Sequence, residues 1–124
     1  MEPHILVADD DPDNRELVQF LLQSVGFDVR VTCNAAEVLY LASHERFDAL
    51  VLDNWMPDIT GLELCRQIRR FDQLTPILFC SGAVTEADIE AAKLAGAQGY
   101  IGKPFDPDDL INAIREAVAS ARQL

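Results

Sequence analysis

Short hydrophobic runs alternate with amphipathic segments five times along the chain. Four of the runs are apolar or small almost throughout, which predicts buried strands: His4–Ala8, Ala49–Leu52, Pro76–Cys80 and Gln98–Gly102. The fifth run, Phe27–Val31, alternates apolar with charged residues and therefore indicates a strand near a sheet edge. Strands that alternate with helices in this way predict a parallel sheet covered by helices on both faces.

Capping residues mark the ends of the predicted helices. Asp11 followed by Pro12 predicts the start of the first helix, and Gly26 predicts its end. Thr85, with Asp88 three positions later, predicts the start of the fourth helix. Helical spacing selects the following residues as the inward face of the first helix: Leu17, Phe20, Leu21 and Ser24. We therefore expect five helices, one after each strand.

The length and composition fit a single domain spanning residues 1–124. With 49% hydrophobic residues the chain can enclose one core, but no apolar run approaches the roughly 18 residues of a membrane span. The formal charge of −11 argues against direct binding of nucleic acid, because phosphate contacts need Lys and Arg. The three cysteines are widely spaced and fit reduced thiols, and the first residues carry no secretory pattern. We therefore expect a cytoplasmic protein without a membrane partner.

Polar residues stand where four of the predicted strands end. Asp9 and Asp10 follow the first strand, Asp53 follows the third, Ser81 the fourth and Lys103 the fifth. In an open parallel sheet the carboxyl ends of the strands form the edge where ligands bind. Three carboxylates in one crevice repel one another, and a hard cation such as Mg²⁺ offsets that repulsion. The set therefore predicts an Mg²⁺-dependent phosphoryl site, in which a carboxylate can accept the phosphoryl group.

All of these residues except Asp53 also have a simpler interpretation. Asp9 and Asp10 could be acids that the helix dipole favours near a helix start. Ser81 could be a turn residue, and Lys103 could be an exposed lysine before a proline. Asp53 is neither a helix cap nor part of an evident solvated face, and all five residues share one placement at strand ends. That shared placement favours a common site.

Three stretches of the chain carry a family resemblance: Ile5–Pro12, Asp53–Gly61 and Lys103–Phe105. Together they resemble the receiver domain of two-component response regulators, and the similarity runs over essentially the whole chain. The resemblance implies a flavodoxin-like (βα)5 fold, a doubly wound parallel α/β sheet with strand order 2-1-3-4-5. This fold agrees with the alternation of strands and helices predicted from the hydrophobic pattern.

The resemblance also implies a role for each strand-end residue. Asp53 corresponds to the phosphoacceptor, and Asp10 to a direct Mg²⁺ ligand. Asp9 corresponds to a second acid that acts on the metal through water, and the backbone carbonyl of Trp55 to a further ligand. Lys103 corresponds to the cation that pairs with Asp53 and then with the phosphoryl oxygens. The bond between Lys103 and the proline that follows it is a candidate for the cis isomer.

The same resemblance implies a switch and its partners. Ser81 corresponds to the hydroxyl that moves toward the phosphoryl group, and Tyr100 to the aromatic residue that follows it inward. The implied donor is a histidine kinase or a histidine phosphotransfer protein, which binds near the first helix. The output partner binds around the fourth helix, fifth strand and fifth helix. The chain is then a signalling phosphoacceptor that catalyses only its own phosphorylation and dephosphorylation, and not an enzyme acting on other substrates.

Two positions suggest slow loss of the phosphoryl group. Trp55 can overhang the acceptor from two residues further on, and Ala83 offers no polar group that could position water. Two alternative functions stay open from the sequence. One is an Mg²⁺-dependent aspartyl phosphatase, although such enzymes usually take their nucleophile from the first strand and carry a cap. The other is an interaction module of receiver type that is never phosphorylated.

Overall fold

Strands and helices alternate without exception in the computed structural model, which describes residues 2–82 and 85–122. The strands are β1 (His4–Ala8), β2 (Asp28–Thr32), β3 (Ala49–Leu52), β4 (Ile77–Ser81) and β5 (Gly99–Gly102). The helices are α1 (Pro12–Ser24), α2 (Ala35–His44), α3 (Gly61–Arg69), α4 (Glu86–Ala95) and α5 (Pro107–Arg122). All strand pairs are parallel, and the order β2-β1-β3-β4-β5 confirms the predicted fold.

The predicted capping residues begin and end the helices. The Asp11 carboxylate accepts a hydrogen bond from the backbone N–H of Asp13 at the start of α1, as expected for a cap that satisfies a free N–H group. Thr85 and Asp88 form a reciprocal capping box at the start of α4. Gly96 ends α4 with a φ of 108°, a left-handed conformation that glycine adopts at low cost. These local signals make the helix boundaries readable from the sequence.

Two apolar layers cover the two faces of the sheet. One layer joins the sheet to α2, α3 and α4, and the other joins it to α1 and α5. The central strands β1, β3 and β4 are buried on both sides, whereas β2 alternates buried with exposed residues at the sheet edge. The alternating pattern therefore predicted the position of β2 at the sheet edge correctly, because in this sheet the charged side chains of an edge strand can be exposed to solvent.

The inward face of α1 differs from the prediction. Val18 and Leu22 are buried, whereas Leu17 and Phe20 are 48% and 67% exposed. Leu21 is only half-buried. The helix carries apolar residues on more than one face, so spacing alone could not choose among them. The choice is made by packing, because Val18 and Leu22 lie four positions apart and fill the layer formed with α5.

Three strands begin one residue later than predicted. β2 starts at Asp28 rather than at Phe27, β4 at Ile77 rather than at Pro76, and β5 at Gly99 rather than at Gln98. β4 also ends one residue later than predicted, so that Ser81 is its last residue. Ser81 pairs in register with Gly102 of β5. None of the helices described is both long enough and apolar enough to cross a membrane.

Candidate functional site

The carboxyl ends of four neighbouring strands converge on one crevice. Asp9 directly follows β1, Asp53 follows β3, Ser81 ends β4 and Lys103 follows β5. Ladder hydrogen bonds continue past the strand ends, since the backbone N–H of Asp53 donates to the carbonyl of Ala8 at 3.0 Å. The fold therefore brings together the residues that the sequence predicted, and most of them are buried: Asp9 is 3%, Asp53 7% and Ser81 0% exposed.

Asp53 stands at the centre of the crevice with both carboxylate oxygens in contact with donors. Oδ1 accepts hydrogen bonds from the Ser81 hydroxyl and from the backbone N–H of Trp55, each at 3.1 Å. Oδ2 accepts from the Lys103 ammonium, also at 3.1 Å. These donors fix the orientation of the carboxylate and compensate the cost of burying it.

Asp9 is held by a different set of donors. Its Oδ1 accepts from the backbone N–H of Asp11 at 3.0 Å, and its Oδ2 accepts from Lys103 Nζ at 2.8 Å. The side-chain amide of Asn14 also donates to Oδ2. The sequence placed Asn14 on the part of the first helix nearer the site, without assigning it this contact with Asp9. The signal for it was available in its position, because the first turn of a helix that follows a strand passes over the end of that strand.

Three carboxylates of the crevice can converge on a cation. Single oxygens of Asp9, Asp10 and Asp53 lie within 4.8 Å of one another, and Asp10 is the exposed member of the group. Three negative charges face one ammonium, that of Lys103, so the group keeps an excess of negative charge. Hard oxygen donors with excess negative charge fit a divalent cation such as Mg²⁺.

Lys103 links two of the acids and remains protonated. Burial lowers the pKa of Lys103, whereas the hydrogen bond to Asp9 and the charge of Asp53 raise it. The raising effects together are larger, so the pKa lies above its ordinary value. The peptide bond between Lys103 and Pro104 is cis, as the sequence resemblance had suggested. The backbone N–H of Lys103 donates to the carbonyl of Ser81 at 2.9 Å, which holds the two residues side by side.

Ser81 also contacts the aromatic residue on the neighbouring strand. The ring of Tyr100 packs against Phe79, with ring centroids 5.7 Å apart. Burial raises the pKa of Tyr100, while a hydrogen bond with Ser81 acts in the opposite direction. The adjacent Cys80 faces the other layer, and burial raises the pKa of its thiol to about 11. Ser81 is therefore the side chain that connects Asp53 to Tyr100.

The loop after Asp53 is fastened close to the acceptor. The carbonyl of Asn54 accepts from Gly61 N–H at 2.8 Å, and its side-chain oxygen accepts from Leu62 N–H at 3.2 Å. A Cβ atom on Gly61 would lie 2.6 Å from Cε1 of Phe79 and 2.8 Å from the carbonyl oxygen of Asp53. Sequence reasoning treated Asn54 as an ordinary loop residue, although the glycine at the loop end signals this close approach.

Two further predictions concern Trp55 and Ala83. The indole of Trp55 is 59% exposed, while its backbone N–H binds Asp53. The metal-binding role assigned to its carbonyl stays a prediction. Ala83, which was expected to leave water unpositioned, lies outside the described residues.

Open clefts of about 410 to 520 Å³ lie at the opposite end of the strands, around Leu74 and Pro76, and are separate from the acidic crevice.

Known proteins share both the sequence pattern and the fold. The response regulator receiver domain profile matches residues 5–115. The transcriptional regulatory protein GltR of Pseudomonas aeruginosa is 35% identical over 120 residues, which are 95% of this chain and 50% of that protein. This chain thus spans half the length of that regulator.

Two solved structures superpose over nearly the full chain. A receiver domain protein of CheY type from Methanospirillum hungatei is 26% identical with a TM-score of 0.94, covering 99% of this chain and 98% of that one. The receiver domain of sensor histidine kinase PA1611 from Pseudomonas aeruginosa, with a magnesium ion coordinated in its active site cleft, is 25% identical with a TM-score of 0.88, covering 96% and 99%. The profile match, over most of the chain, shows that this protein belongs to the response regulator receiver domain family of two-component signalling.

Proposed function

We propose that this receiver domain accepts a phosphoryl group on Asp53 from a phosphohistidine donor, with Mg²⁺, and signals through Ser81 and Tyr100. One observation carries the proposal. The Asp53 carboxylate lies between the Lys103 ammonium and the Ser81 hydroxyl, within 4.8 Å of oxygens from two further acids. A buried carboxylate with a cation, a hydroxyl and an acidic cation site around it is suited to receive and hold an anionic group.

The proposed transfer forms one bond and breaks another. A carboxylate oxygen of Asp53 attacks phosphorus, the P–N bond to the donor histidine breaks, and its electron pair returns to the imidazole. The product is a mixed carboxylic–phosphoric anhydride. Attack of water on phosphorus later breaks the new P–O bond, which releases inorganic phosphate and restores the carboxylate. Lys103 stays protonated throughout and lies where it can bind the phosphoryl oxygens.

We propose different roles for the three acids at the Mg²⁺ site. Asp9, whose oxygens accept hydrogen bonds from Asp11 and Lys103, is proposed to act on the metal through water. Asp10 is exposed and is therefore proposed as a direct ligand, together with Asp53 and the carbonyl of Trp55. When bound, Mg²⁺ would supply positive charge that offsets the negative charge of the acids and of the incoming phosphoryl group.

The contacts of Ser81 support its proposed role as the switch. Its hydroxyl is a donor to Asp53 Oδ1, and a phosphoryl group on Asp53 offers that donor new and more highly charged acceptors. Tyr100 contacts Ser81 and therefore responds to its movement. We propose that the change is transmitted to an output protein or output domain through the face formed by α4, β5 and α5. Phosphorylation then shifts a population between two arrangements.

We propose a histidine kinase or histidine phosphotransfer protein as the donor. Leu17 and Phe20 of α1 are exposed apolar residues on the helix that begins beside the acids, and they are suited to pack against a helical donor. Replacing Phe20 with alanine is expected to slow transfer from a phosphohistidine protein but not from a small phosphodonor. Equal slowing with both donors would contradict this contact.

We further propose that the domain acts in the cytoplasm and only on itself. The thiols of Cys33, Cys65 and Cys80 are unpaired, which agrees with a reducing compartment. Turnover is expected to be limited to formation and loss of the aspartyl phosphate. Cell fractionation tests the first statement, and assays with small phosphate esters test the second.

Labelling with a small phosphodonor tests the acceptor directly. The wild type and Asp53→Asn are incubated with acetyl phosphate and Mg²⁺, and the intact mass and the fluorescence of Trp55 are followed. We expect one added phosphoryl group in the wild type and none in the variant, because the amide is a poor nucleophile. Unimpaired labelling of Asp53→Asn would refute the assignment. Sustained hydrolysis of phosphate esters would instead indicate an aspartyl phosphatase.

A further inference from the structure

Asp58 ties the loop behind the acceptor to the first turn of α2. Its Oδ1 accepts a hydrogen bond from the backbone N–H of Ala35 at 3.0 Å, and its Oδ2 accepts from the N–H of Ala36 at 2.9 Å. The carboxylate thus satisfies two of the N–H groups that a helix start leaves without partners. These contacts join residues more than twenty positions apart in the chain.

The start of α2 already has a local cap. The side chain of Asn34 accepts a hydrogen bond from the N–H of Glu37 at 2.8 Å. Asp58 therefore adds a second, distant cap to the same helix end. Asp58 accepts from two N–H groups of the helix and Asn34 from one, and the two residues also differ in what they contact in the rest of the chain. Only the contact made by Asp58 involves the loop between β3 and α3.

The connection between β2 and α2 also supports Asp9. The backbone N–H of Asp9 donates to the carbonyl of Thr32 at 3.1 Å, and Thr32 stands two residues before Asn34. One short segment thus contacts the backbone at Asp9 on one side and the carboxylate of Asp58 on the other. The segment bridges the two parts of the acidic crevice that come from β1 and from β3.

Beyond Asp53, the other hydrogen bonds described for the loop stay inside it or reach α3. Trp55 and Thr60 form an antiparallel bridge, and Asn54 binds the start of α3 at Gly61 and Leu62. The N–H of Asp53 ties the first residue of the loop to Ala8, but none of these hydrogen bonds ties the rest of the loop to the start of α2. A hydrogen bond from Ala35 lowers the pKa of Asp58, so its carboxylate is charged at neutral pH and suits the positive end of a helix.

We propose that Asp58 is a positioning residue for the cation site: by holding the loop against α2, it fixes the Trp55 backbone relative to Asp9 and Asp53. The inference rests on the proposed function, because it concerns the affinity of the site for Mg²⁺. Residues that orient metal ligands commonly change metal affinity by about tenfold or more when they are replaced.

The chain offers a matched control for this idea. Asp58→Ala and Asn34→Ala each remove a cap from the start of α2, but only the first releases the loop. Mg²⁺ affinity is measured by calorimetric titration of the wild type, Asp58→Ala, Asp58→Asn and Asn34→Ala, together with Trp55 fluorescence and urea unfolding. We expect Asp58→Ala to weaken Mg²⁺ binding about tenfold, Asp58→Asn to weaken it less because one acceptor oxygen remains, and Asn34→Ala to leave it nearly unchanged.

Each result decides the inference. Equal weakening by Asp58→Ala and Asn34→Ala would mean that Asp58 is only a helix cap, and unchanged binding in Asp58→Ala would mean that the loop is held without it. Asp58→Asn provides the comparison if Asp58→Ala does not fold. Failure of the wild type itself to bind Mg²⁺ would overturn the proposed function and this inference together. Normal wild-type binding with unaffected Asp58 variants would overturn this inference alone.

Discussion

The hydroxyl of Ser81 donates a hydrogen bond to Oδ1 of Asp53 at 3.1 Å, so the proposed switch residue contacts the proposed acceptor before any phosphoryl group is present. Ser81 is fully buried, so its hydroxyl depends on protein groups for its hydrogen bonds. A phosphoryl group would therefore redirect an existing hydrogen bond. Phosphorylation would then change the distance between β4 and the acceptor, and this change would reach the neighbouring strand β5.

Ser81→Ala should separate phosphorylation from its consequence. The variant keeps Asp53, Lys103 and the acids, so labelling should persist, whereas the response of β5 and α4 should be largely lost. We expect a decrease of about 1.5 to 3 kcal/mol in the free energy of unfolding, since a buried hydrogen bond to a charged acceptor is removed. Hydrogen exchange over β5 and α4, with and without phosphodonor, measures the response. Ser81→Thr keeps the hydroxyl and serves as the control, and a full response in Ser81→Ala would contradict the proposed switch.

Lys103→Met should expose the repulsion between two acids. In the wild type the ammonium lies 2.8 Å from Asp9 and 3.1 Å from Asp53. Removing it leaves two buried carboxylates without their cation, which should cost about 3 kcal/mol at neutral pH. Labelling by a small phosphodonor should fall by roughly two orders of magnitude or more, because a donor to the phosphoryl oxygens is lost. Urea unfolding and labelling kinetics measure both effects, and Lys103→Arg is the control that keeps a charge.

The raised pKa of Lys103 also predicts how the free energy of unfolding changes at high pH. Its pKa is higher in the folded protein than the ordinary value of 10.5, so the unfolded chain loses that proton first. The stabilisation is fully present below the unfolded pKa and disappears as the pH rises through the folded one. Cys80 adds a loss that begins near its ordinary pKa of 9.0, because its folded pKa is about 11. The free energy of unfolding of Lys103→Met should therefore fall less steeply than that of the wild type above pH 10.5, and parallel curves would contradict the argument.

The sequence predicted those parts of the molecule that depend on local signals. Asp9, Asp53, Ser81 and Lys103 could be placed in one site because each follows a recognisable strand, and parallel strands end at the same edge. The face of α1 was predicted wrongly because several apolar residues share helical spacing, and packing with α5 decided among them. The contacts of Asp58 were not foreseeable either. A side chain that caps a distant helix leaves no spacing pattern in the sequence.

Gly61→Ala should destabilise the fold and disturb the acceptor together. A Cβ atom at residue 61 would meet Phe79 at 2.6 Å and the backbone of Asn54 at 2.8 Å, which are too close without movement. We expect a loss of about 1 to 3 kcal/mol in the free energy of unfolding, as for other overpacked sites, and slower labelling of Asp53. Gly82→Ala is the matched control for stability, because apart from its chain neighbours no atom of residues 2–82 and 85–122 lies within 4 Å of a Cβ there. Urea unfolding of both variants decides the point, and equal stabilities would contradict the steric explanation.

Trp55→Ala should shorten the lifetime of the aspartyl phosphate. The backbone of Trp55 is anchored to Asp53 by a hydrogen bond of 3.1 Å, and Trp55 is 59% exposed two residues after the acceptor. A large side chain held there obstructs water that approaches the phosphoryl group, whereas alanine leaves the backbone contact in place. We expect loss of the phosphoryl group to accelerate on the order of tenfold, equivalent to about 1.4 kcal/mol in the barrier.

Release of inorganic phosphate from protein labelled beforehand measures the rate without relying on tryptophan fluorescence. Phe71→Ala removes another exposed aromatic side chain, from the turn that follows α3, and should leave the rate unchanged. An intermediate rate in Trp55→Phe would show that the obstruction scales with the size of the ring. Equal rates in the wild type and Trp55→Ala would exclude steric protection by the indole, and any slow hydrolysis would then have to arise from the way the site positions water.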